Sequence, residues 1–583
     1  MKTYRLRTQA HEELLQDLLV ARGIGGGEEA AHFLEPSYER DSHDPFLLPD
    51  MAKAVERILA AQKNAEHVAV WSDYDCDGIP GGVMLADFLR ILGISVRHYI
   101  PHRHKEGYGL NKEGINELAE QGVTLIITID LGTTEHENIL YAKEKGIEVI
   151  VTDHHIVQMQ DAKDASQLPS PAEGGVGVSV QHLSHPAFAL INPKRPDSQY
   201  PFDGLCGAGV AWKLVQAILV KHRPEGFSEG QEKWYLDLVG IATLCDMVPL
   251  VDENRMLARF GLRVMRRDRR AGLSALLKLL RIKPETLTED DIGFMIGPRI
   301  NAASRMDSPD VAARLLAAKE DEEGAELARQ LNKINDERKG VVAATVKEIN
   351  KRLLGTDLRE SPLIVMGNPN WRPGVLGLVA SSLVDAHGKT VFLWGREGGE
   401  VIRGSCRSDG VVNVVSLMSL ANISLRGAGD IFEHFGGHHA SGGFSVAEEK
   451  VHELSARLNS AYMLAEHERD TEQEIIIDRQ SVLAELPFAL RALEQLAPFG
   501  VGNERPLFIF SNVSVTNVRT FGKANDHLEL SLEQNGAHTA GIAFFSTPAS
   551  FQKTVGAGER ADIVGHIERD WRGQPRIRIV DII

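Results

Sequence analysis

The chain has 583 residues, of which 43% are hydrophobic and 25% charged, and a formal net charge of −17. That length suits three or four soluble domains of about 100–200 residues each, and the acidic balance excludes a generally basic surface for nucleic acid while leaving room for a local groove. The four cysteines form no C-x-x-C pair, which excludes a zinc ribbon or disulfide framework, and no apolar run reaches the ~18–20 residues of a bilayer span.

Taken in order, residues 1–50 read as a small helical cap ending in DPFLLPDM. The opening MKTYRLRTQAHEELL has no apolar run behind its basic residues, so no signal peptide and a cytoplasmic location are expected. From residue 51 helices and strands alternate. A helix over 51–64 is followed by strand EHVAVWSDYD, helix GGVMLADFLRILG and strand ISVRHYIP. Helix NKEGINELAEQG leads to strand VTLIITID, then helix HENILYAKEKG to strand IEVIVTD. This alternation predicts a parallel sheet covered on both faces, with functional groups gathered beyond the carboxyl ends of its strands. Residues 160–188 read as a loop and 206–285 as mostly helical; 308–354 is the longest helical stretch, charged and solvated. Alternation resumes over 362–465, and the short strands after 470 predict a small β-barrel, with an OB-fold as one candidate.

The strand ends carry the chemistry. Asp73, Asp75 and Asp77 alternate in DYDCDG after an apolar strand. Such carboxylates repel one another without a counter-cation, and hard oxygen ligands suit Mg²⁺ or Mn²⁺. An acidic turn capping the next helix would explain that cluster alone. Asp130 ends a second strand, however, Asp153-His154-His155 a third, and Asp246 lies in LCDMVPL. Carboxylates mixed with imidazole fit Mn²⁺ well, and a shared carboxylate is the natural core of a two-metal site.

In order, DYDCDG, TIDLG, TDHH and LCDMVPL resemble the four motifs of the DHH phosphoesterases. The resemblance implies that Asp75, Asp77, Asp130, His154 and Asp246 hold two divalent ions, Mn²⁺ or Mg²⁺, with Asp130 as the bridge. Asp73 and Asp153 would orient those ligands, and His155 would contact the scissile phosphate or protonate the leaving oxygen. The chain departs from the family pattern at Ser72 and Pro80.

GPRINAASRM, with Arg299, Asn301 and Arg305, is similar to a segment of the RecJ exonucleases within that family. NWRPGVLGLVAS, RGSCRS and FGGHHASGGF together resemble the DHH-associated domain, which implies substrate contacts from Ser405, Arg407, Gly437 and His438. Arg372 stands where the family usually has His and receives no role. Arg103, in the basic stretch IPHRHKEGYGL, would help fix a 5′ end. PFGVGNERPLF and the tail resemble an OB domain; there Phe508, Phe510 and Phe521 are candidates for base stacking or for the core.

The fold class expected is α/β: two α/β domains joined by a long helix, then a C-terminal β-barrel. The divisions are 1–50 (cap), 51–307 (DHH), 308–355 (connecting helix), 356–468 (DHH-associated) and 469–583 (OB). The implied activity is metal-dependent 5′→3′ hydrolysis of single-stranded DNA to 5′-mononucleotides, in repair and recombination, by a monomer. Candidate protein partners are a single-strand-binding protein or a helicase, and no membrane is involved. The alternatives are a DHH enzyme for short oligonucleotides or cyclic dinucleotides, and an inactive nucleic-acid-binding scaffold.

Overall fold

The computed structural model describes residues 3–157, 185–354, 361–397, 399–423, 429–467, 474–522 and 525–583. Most of the loop expected over 160–188 lies outside these residues, as do the expected divisions at 355 and 468. Strand β1 (Thr3–Leu6) opens the chain. Next come β2 (His67–Ser72), β3 (Ser95–Tyr99), β4 (Val123–Ile129), β5 (Glu148–Thr152) and β6 (Ala189–Ile191), which form an all-parallel sheet in the order β3-β2-β4-β5-β6. Runs such as VTLIITI are apolar throughout because helices cover both faces of the sheet.

Register fixes where the strands end. Ser72 pairs with Ile129, Ile129 with Thr152, and Thr152 with Ile191. Asp73, Asp130, Asp153 and Asn192 therefore stand side by side, each one residue past its strand. Three backbone bonds continue the ladder through them: Asp73 N–H to Ile129 O at 3.2 Å, Asp130 to Thr152 at 3.0 Å and Asp153 to Ile191 at 3.1 Å. The chain leaves β2 for β3 on one side and later lays β4 on the other, so the row spans the point where strand order reverses.

Helices Gly207–Lys221 and Leu236–Cys245 pack on the apolar helix Gly78–Ile91. The charged stretch after 308 divides into Asp310–Ala317 and one long helix, Asp321–Leu353. Beyond it, β7 (Leu363–Gly367), β8 (Thr390–Gly395), β9 (Ile402–Arg407), β10 (Phe432–His438) and β11 (Ser441–Val446) form a mixed sheet in the order β10-β11-β9-β8-β7. After β12 (Glu474–Ile477) and β13 (Arg479–Gln480) come β14 (Phe508–Phe521), β15 (His527–Gln534), β16 (Ala537–Ala543), β17 (Arg560–Arg569) and β18 (Pro575–Ile582). The last five close a barrel, β14-β15-β16-β18-β17 and back to β14, antiparallel except at β16–β18.

The chain differs from the sequence expectation in three places. The opening segment is not wholly helical: β1 pairs in parallel with β12, and Leu18 and Leu19 lie in one core with barrel residues such as Phe510 and Ile563. A helix the tail pattern did not suggest, Leu486–Leu496, packs into the same core through Leu486, Leu490, Leu493 and Leu496. Phe508 and Phe510 are fully buried there, so they are core residues and present no face to a base. Phe521 remains partly exposed beside His527, ring centroids 5.0 Å apart.

Because Leu18 completes the barrel core, Leu18→Ala should destabilise the barrel by about 2–5 kcal/mol. Limited proteolysis should then cut first after residue 474, with the parallel sheet intact; unchanged barrel protection would contradict this packing.

Candidate metal centre

Six carboxylates and two imidazoles converge at the strand ends. The ligand atoms of Asp73, Asp75 and Asp130 lie within 4.8 Å of one another; so do those of Asp77, His154 and Asp246, and those of Asp130, His154 and His155. Asp130 and His154 each belong to two of these sets. His154 Nε2 is 3.1 Å from Asp130, 3.7 Å from Asp246 and 3.8 Å from Asp77. Asp73 thus falls in the same set as Asp75 and the shared Asp130.

Local structure holds each group. Asp77 accepts backbone N–H bonds from Gly207 at 2.6 Å and Ala208 at 2.8 Å, at the positive end of helix Gly207–Lys221. A Cβ at Gly207 would lie 2.5 Å from that of Asp130, so only glycine admits this approach. Asp130 itself adopts the left-handed conformation, with φ 63°, and so does Met247 beside Asp246, with φ 59°. Backbone strain is thus held at two positions of the site. Asp153 accepts from the Thr133 and His154 amides and from His155 Nδ1 at 2.7 Å, which orients the His155 ring. Asn192, which the sequence motifs did not single out, bonds Thr133 Oγ1 and the His155 carbonyl. Tyr108 donates to the Asp130 carbonyl at 3.0 Å.

The electrostatics call for cations. Burial, then the Asp75 charge, pushes Asp77 up to about 7; burial, then Asp77, pushes Asp246 up to about 9. Asp73 and Asp130 are raised well above the carboxylate range for the same reasons. Burial also lowers His154 to about 4, leaving a neutral ring suited to coordination. Asp153 is the exception. Burial pushes it up, but the bond and charge of His155 outweigh that and hold it well below its ordinary value. Asp73 Oδ1, Asp130 Oδ1 and His154 Nδ1 are buried without a hydrogen-bond partner. Orphaned hard oxygens among mutually repelling carboxylates fit divalent metal ions.

Arginines face this cluster. Arg103 lies 4.8 Å over the Tyr74 ring, and its charge opposes part of the rise that burial and Asp75 impose on Asp73. Arg305 feels Asp75, Arg103, Arg338 and Arg407; burial first, then Arg103, lowers it to about 10. Ser405 and Arg407 alternate along β9, so they share one face. Arg299 is spent elsewhere, on Met295 O at 2.6 Å and Asn332 at 3.0 Å, tying its helix to the connecting helix. Asn301 keeps its buried Oδ1 unpartnered. Gly437 and His438 lie on the exposed β10–β11 hairpin, paired with Gly442 and Ser441; no contact described for them reaches the acidic cluster. Arg372 bonds Glu397 and the Met306 carbonyl, clasping the two α/β domains together, as does Arg305 through Gly374 O at 3.1 Å.

Without metal, these raised carboxylates favour the protonated fold. Their contribution to stability is full below the ordinary carboxylate value of about 4. It is lost as pH rises through about 7 for Asp77 and about 9 for Asp246. The chelated protein should therefore show a falling melting temperature across that window, with a shallower slope in Asp130→Asn. Saturating Mn²⁺ at 100 times its Kd should stabilise the wild type by about 2.7 kcal/mol and the variant by less. A flat chelated profile would mean that the cluster stores no such repulsion.

Comparison with known proteins agrees with this geometry. The family patterns described as DHH family N-terminal domain, DHHA1 domain and RecJ OB domain match residues 67–243, 360–463 and 483–580. The chain is 32% identical to the single-stranded-DNA-specific exonuclease RecJ of Bacillus subtilis, across 100% of this chain and 69% of that one. It is 30% identical to the Haemophilus influenzae protein of the same name, across 92% and 90%. Its fold is similar to the crystal structure of RecJ from Thermus thermophilus in complex with Mn²⁺, with a TM-score of 0.74, 25% identity, and coverage of 100% of this chain and 79% of that one. The protein whose strand-end acids, facing arginines and terminal barrel are described above belongs to the RecJ family of DHH phosphoesterases.

Proposed function

We propose that the chain is a metal-dependent exonuclease that hydrolyses single-stranded DNA from the 5′ end and releases 5′-mononucleotides. The observation that carries this reading is the row Asp73–Asp130–Asp153 beside Arg103 and Arg305, whose charges interact with Asp73 and Asp75: a cation site next to an anion site.

Asp75, Asp77, Asp130, His154 and Asp246 hold two divalent ions, Mn²⁺ or Mg²⁺, and Asp73 adds a further oxygen beside Asp130. Such ions supply Lewis acidity at the phosphoryl oxygens and a water nucleophile at neutral pH. The residues of the chain do the rest. Arg103, Ser405 and Arg407 grip the terminal 5′-phosphate, and guanidinium forks suit that group. Arg305 neutralises the phosphate being cut. Asp153 bonds His155 Nδ1, so His155 turns Nε2 outward to the phosphoryl group or to the leaving 3′ oxygen. The P–O3′ bond breaks, the terminal nucleotide leaves with its 5′-phosphate, and the shortened strand keeps the scissile phosphate as its new end. The connecting helix lines a neighbouring groove with Lys339, Lys347 and Lys351, opposite Phe545 of the barrel, and gives the downstream strand a path.

A 3′-labelled single strand should shorten progressively from the 5′ end with Mn²⁺, and not with chelator or on blunt duplex. Cleavage confined to dinucleotides would indicate a small-substrate enzyme, and binding without cleavage a scaffold. Asp130→Ala should abolish hydrolysis while the protein stays folded. Strand affinity should fall steeply between about 50 and 200 mM salt, and a flat dependence would count against a basic groove.

A further inference from the structure

Three of the chain's four cysteines stand beside residues of the metal centre. Cys76 lies between Asp75 and Asp77, and Cys245 precedes Asp246 at the end of helix Leu236–Cys245. Cys206 precedes Gly207, whose amide holds Asp77, and turns to Thr243 Oγ1 at 3.8 Å. Cys76 and Cys245 turn to each other. Their side chains interact, and Cys76 belongs to the apolar core against which Cys245 packs. The ligand atoms of their neighbours Asp77 and Asp246 lie within 4.8 Å of one another. Access to the pair is one-sided. Cys76 is 2% exposed, whereas Cys245 is only partly buried and lines a cavity of about 420 Å³. Cys245 Sγ lies 3.9 Å from Ile292 O, and a Cβ on Gly297 would stand 2.5 Å from it, so glycine there leaves room for the thiol. Met247, 70% exposed, lines the same cavity.

We infer that Cys76 and Cys245 are an oxidation site: a peroxide joins them in a reversible disulfide that weakens the metal centre. Hydrogen peroxide reaches Cys245 through the cavity. The Cys245 sulfur takes one oxygen as the O–O bond breaks, one water leaves, and a sulfenic acid remains. The Cys76 sulfur then attacks that sulfur. The S–S bond forms, the S–O bond breaks, and the second oxygen leaves as water with the two remaining thiol and sulfenic protons. The two thiols lose two electrons, and one peroxide is reduced to two waters. An external dithiol reverses the change by exchange. The effect on the site is geometric. A covalent S–S bond is shorter than a contact between thiols and more narrowly oriented. Forming it draws the Asp75–Asp77 turn and the end of helix Leu236–Cys245 together. Asp77 is pinned by the Gly207 and Ala208 amides, and Asp246 adjoins Met247 in its left-handed conformation, so neither carboxylate follows without losing its placement. Disturbing the groups that orient metal ligands typically costs about 10–100-fold in affinity.

This inference rests on the metal-centre reading, and the test separates the two. Mg²⁺-loaded protein, whose ion does not react with peroxide, is treated with hydrogen peroxide, quenched with catalase and digested without reduction. Mass spectrometry should find a peptide pair joined through Cys76 and Cys245, lighter by two hydrogens than its parts, with Cys206 and Cys406 still free thiols. After Mg²⁺ is removed, calorimetric titration with Mn²⁺ should show affinity lowered about tenfold or more against the reduced protein, and dithiothreitol should restore it. Cys245→Ser should form no such pair and keep its Mn²⁺ affinity through the same treatment. Free thiols at both positions after peroxide, or the cross-link with unchanged Mn²⁺ affinity, would overturn the inference; neither result needs a folded variant. A loss of affinity that dithiothreitol fails to reverse and that Cys245→Ser shares would assign the damage to Met247 sulfoxide and would also overturn it. Failure of the reduced wild type to bind Mn²⁺ would instead remove the metal-centre reading, and the switch with it, even where the cross-link forms.

Discussion

The structure depends on one unfavourable interaction: several carboxylates buried within a few ångströms of one another. Left to themselves they raise one another's pKa values and weaken the fold. The fold forces them together all the same. The parallel register places Asp73, Asp130 and Asp153 in adjacent columns, and the Gly207–Lys221 helix presses its N-terminus onto Asp77. Protonation relieves that crowding at low pH, and multivalent cations relieve it with the carboxylates ionised. The same cations then present an electropositive surface to a phosphate in a protein whose net charge is −17. An acidic enzyme for an acidic substrate is consistent on these terms, because attraction is concentrated at the metals and at a few guanidiniums.

Those guanidiniums show how the cleft is made. Arg305 and Arg372 each spend part of their hydrogen-bonding capacity on a backbone carbonyl across the boundary between the two α/β domains. Arg403 reaches the Arg103 carbonyl at 3.4 Å in the same way. The domain clasp thus runs through Arg305 and the Arg103 backbone, two residues proposed above to meet the substrate phosphates.

Much of this was legible in the sequence, for identifiable reasons. A parallel strand buried on both faces writes itself as a continuous apolar run, so β2, β4 and β5 and the acids ending them could be read directly. The candidate ligand set rested on the resemblance to the DHH phosphoesterases, and the fold brings those side chains into one cluster. Side-chain direction was not legible. Nothing local distinguishes Arg299, spent on Met295 and Asn332, from Arg305 on the same helix, which turns to the cluster. Likewise Phe508 and Phe510 look like any strand aromatics until barrel closure turns both inward. Asn192 carried no motif, and its bonds to Thr133 and His155 come from the tertiary placement of β6.

The pairing of β1 with β12 has a consequence for how the chain is made. A ribosome makes Thr3 long before Glu474, yet these two residues are neighbours in the finished sheet, and Leu18 and Leu19 belong to a core whose other buried members are all synthesised after residue 482. The parallel-sheet domain can collapse during synthesis, while the first strand and helix wait with apolar side chains uncovered. Docking of this early segment thus waits until synthesis has passed residue 474, and it closes a loop of about 470 residues at a large cost in chain entropy.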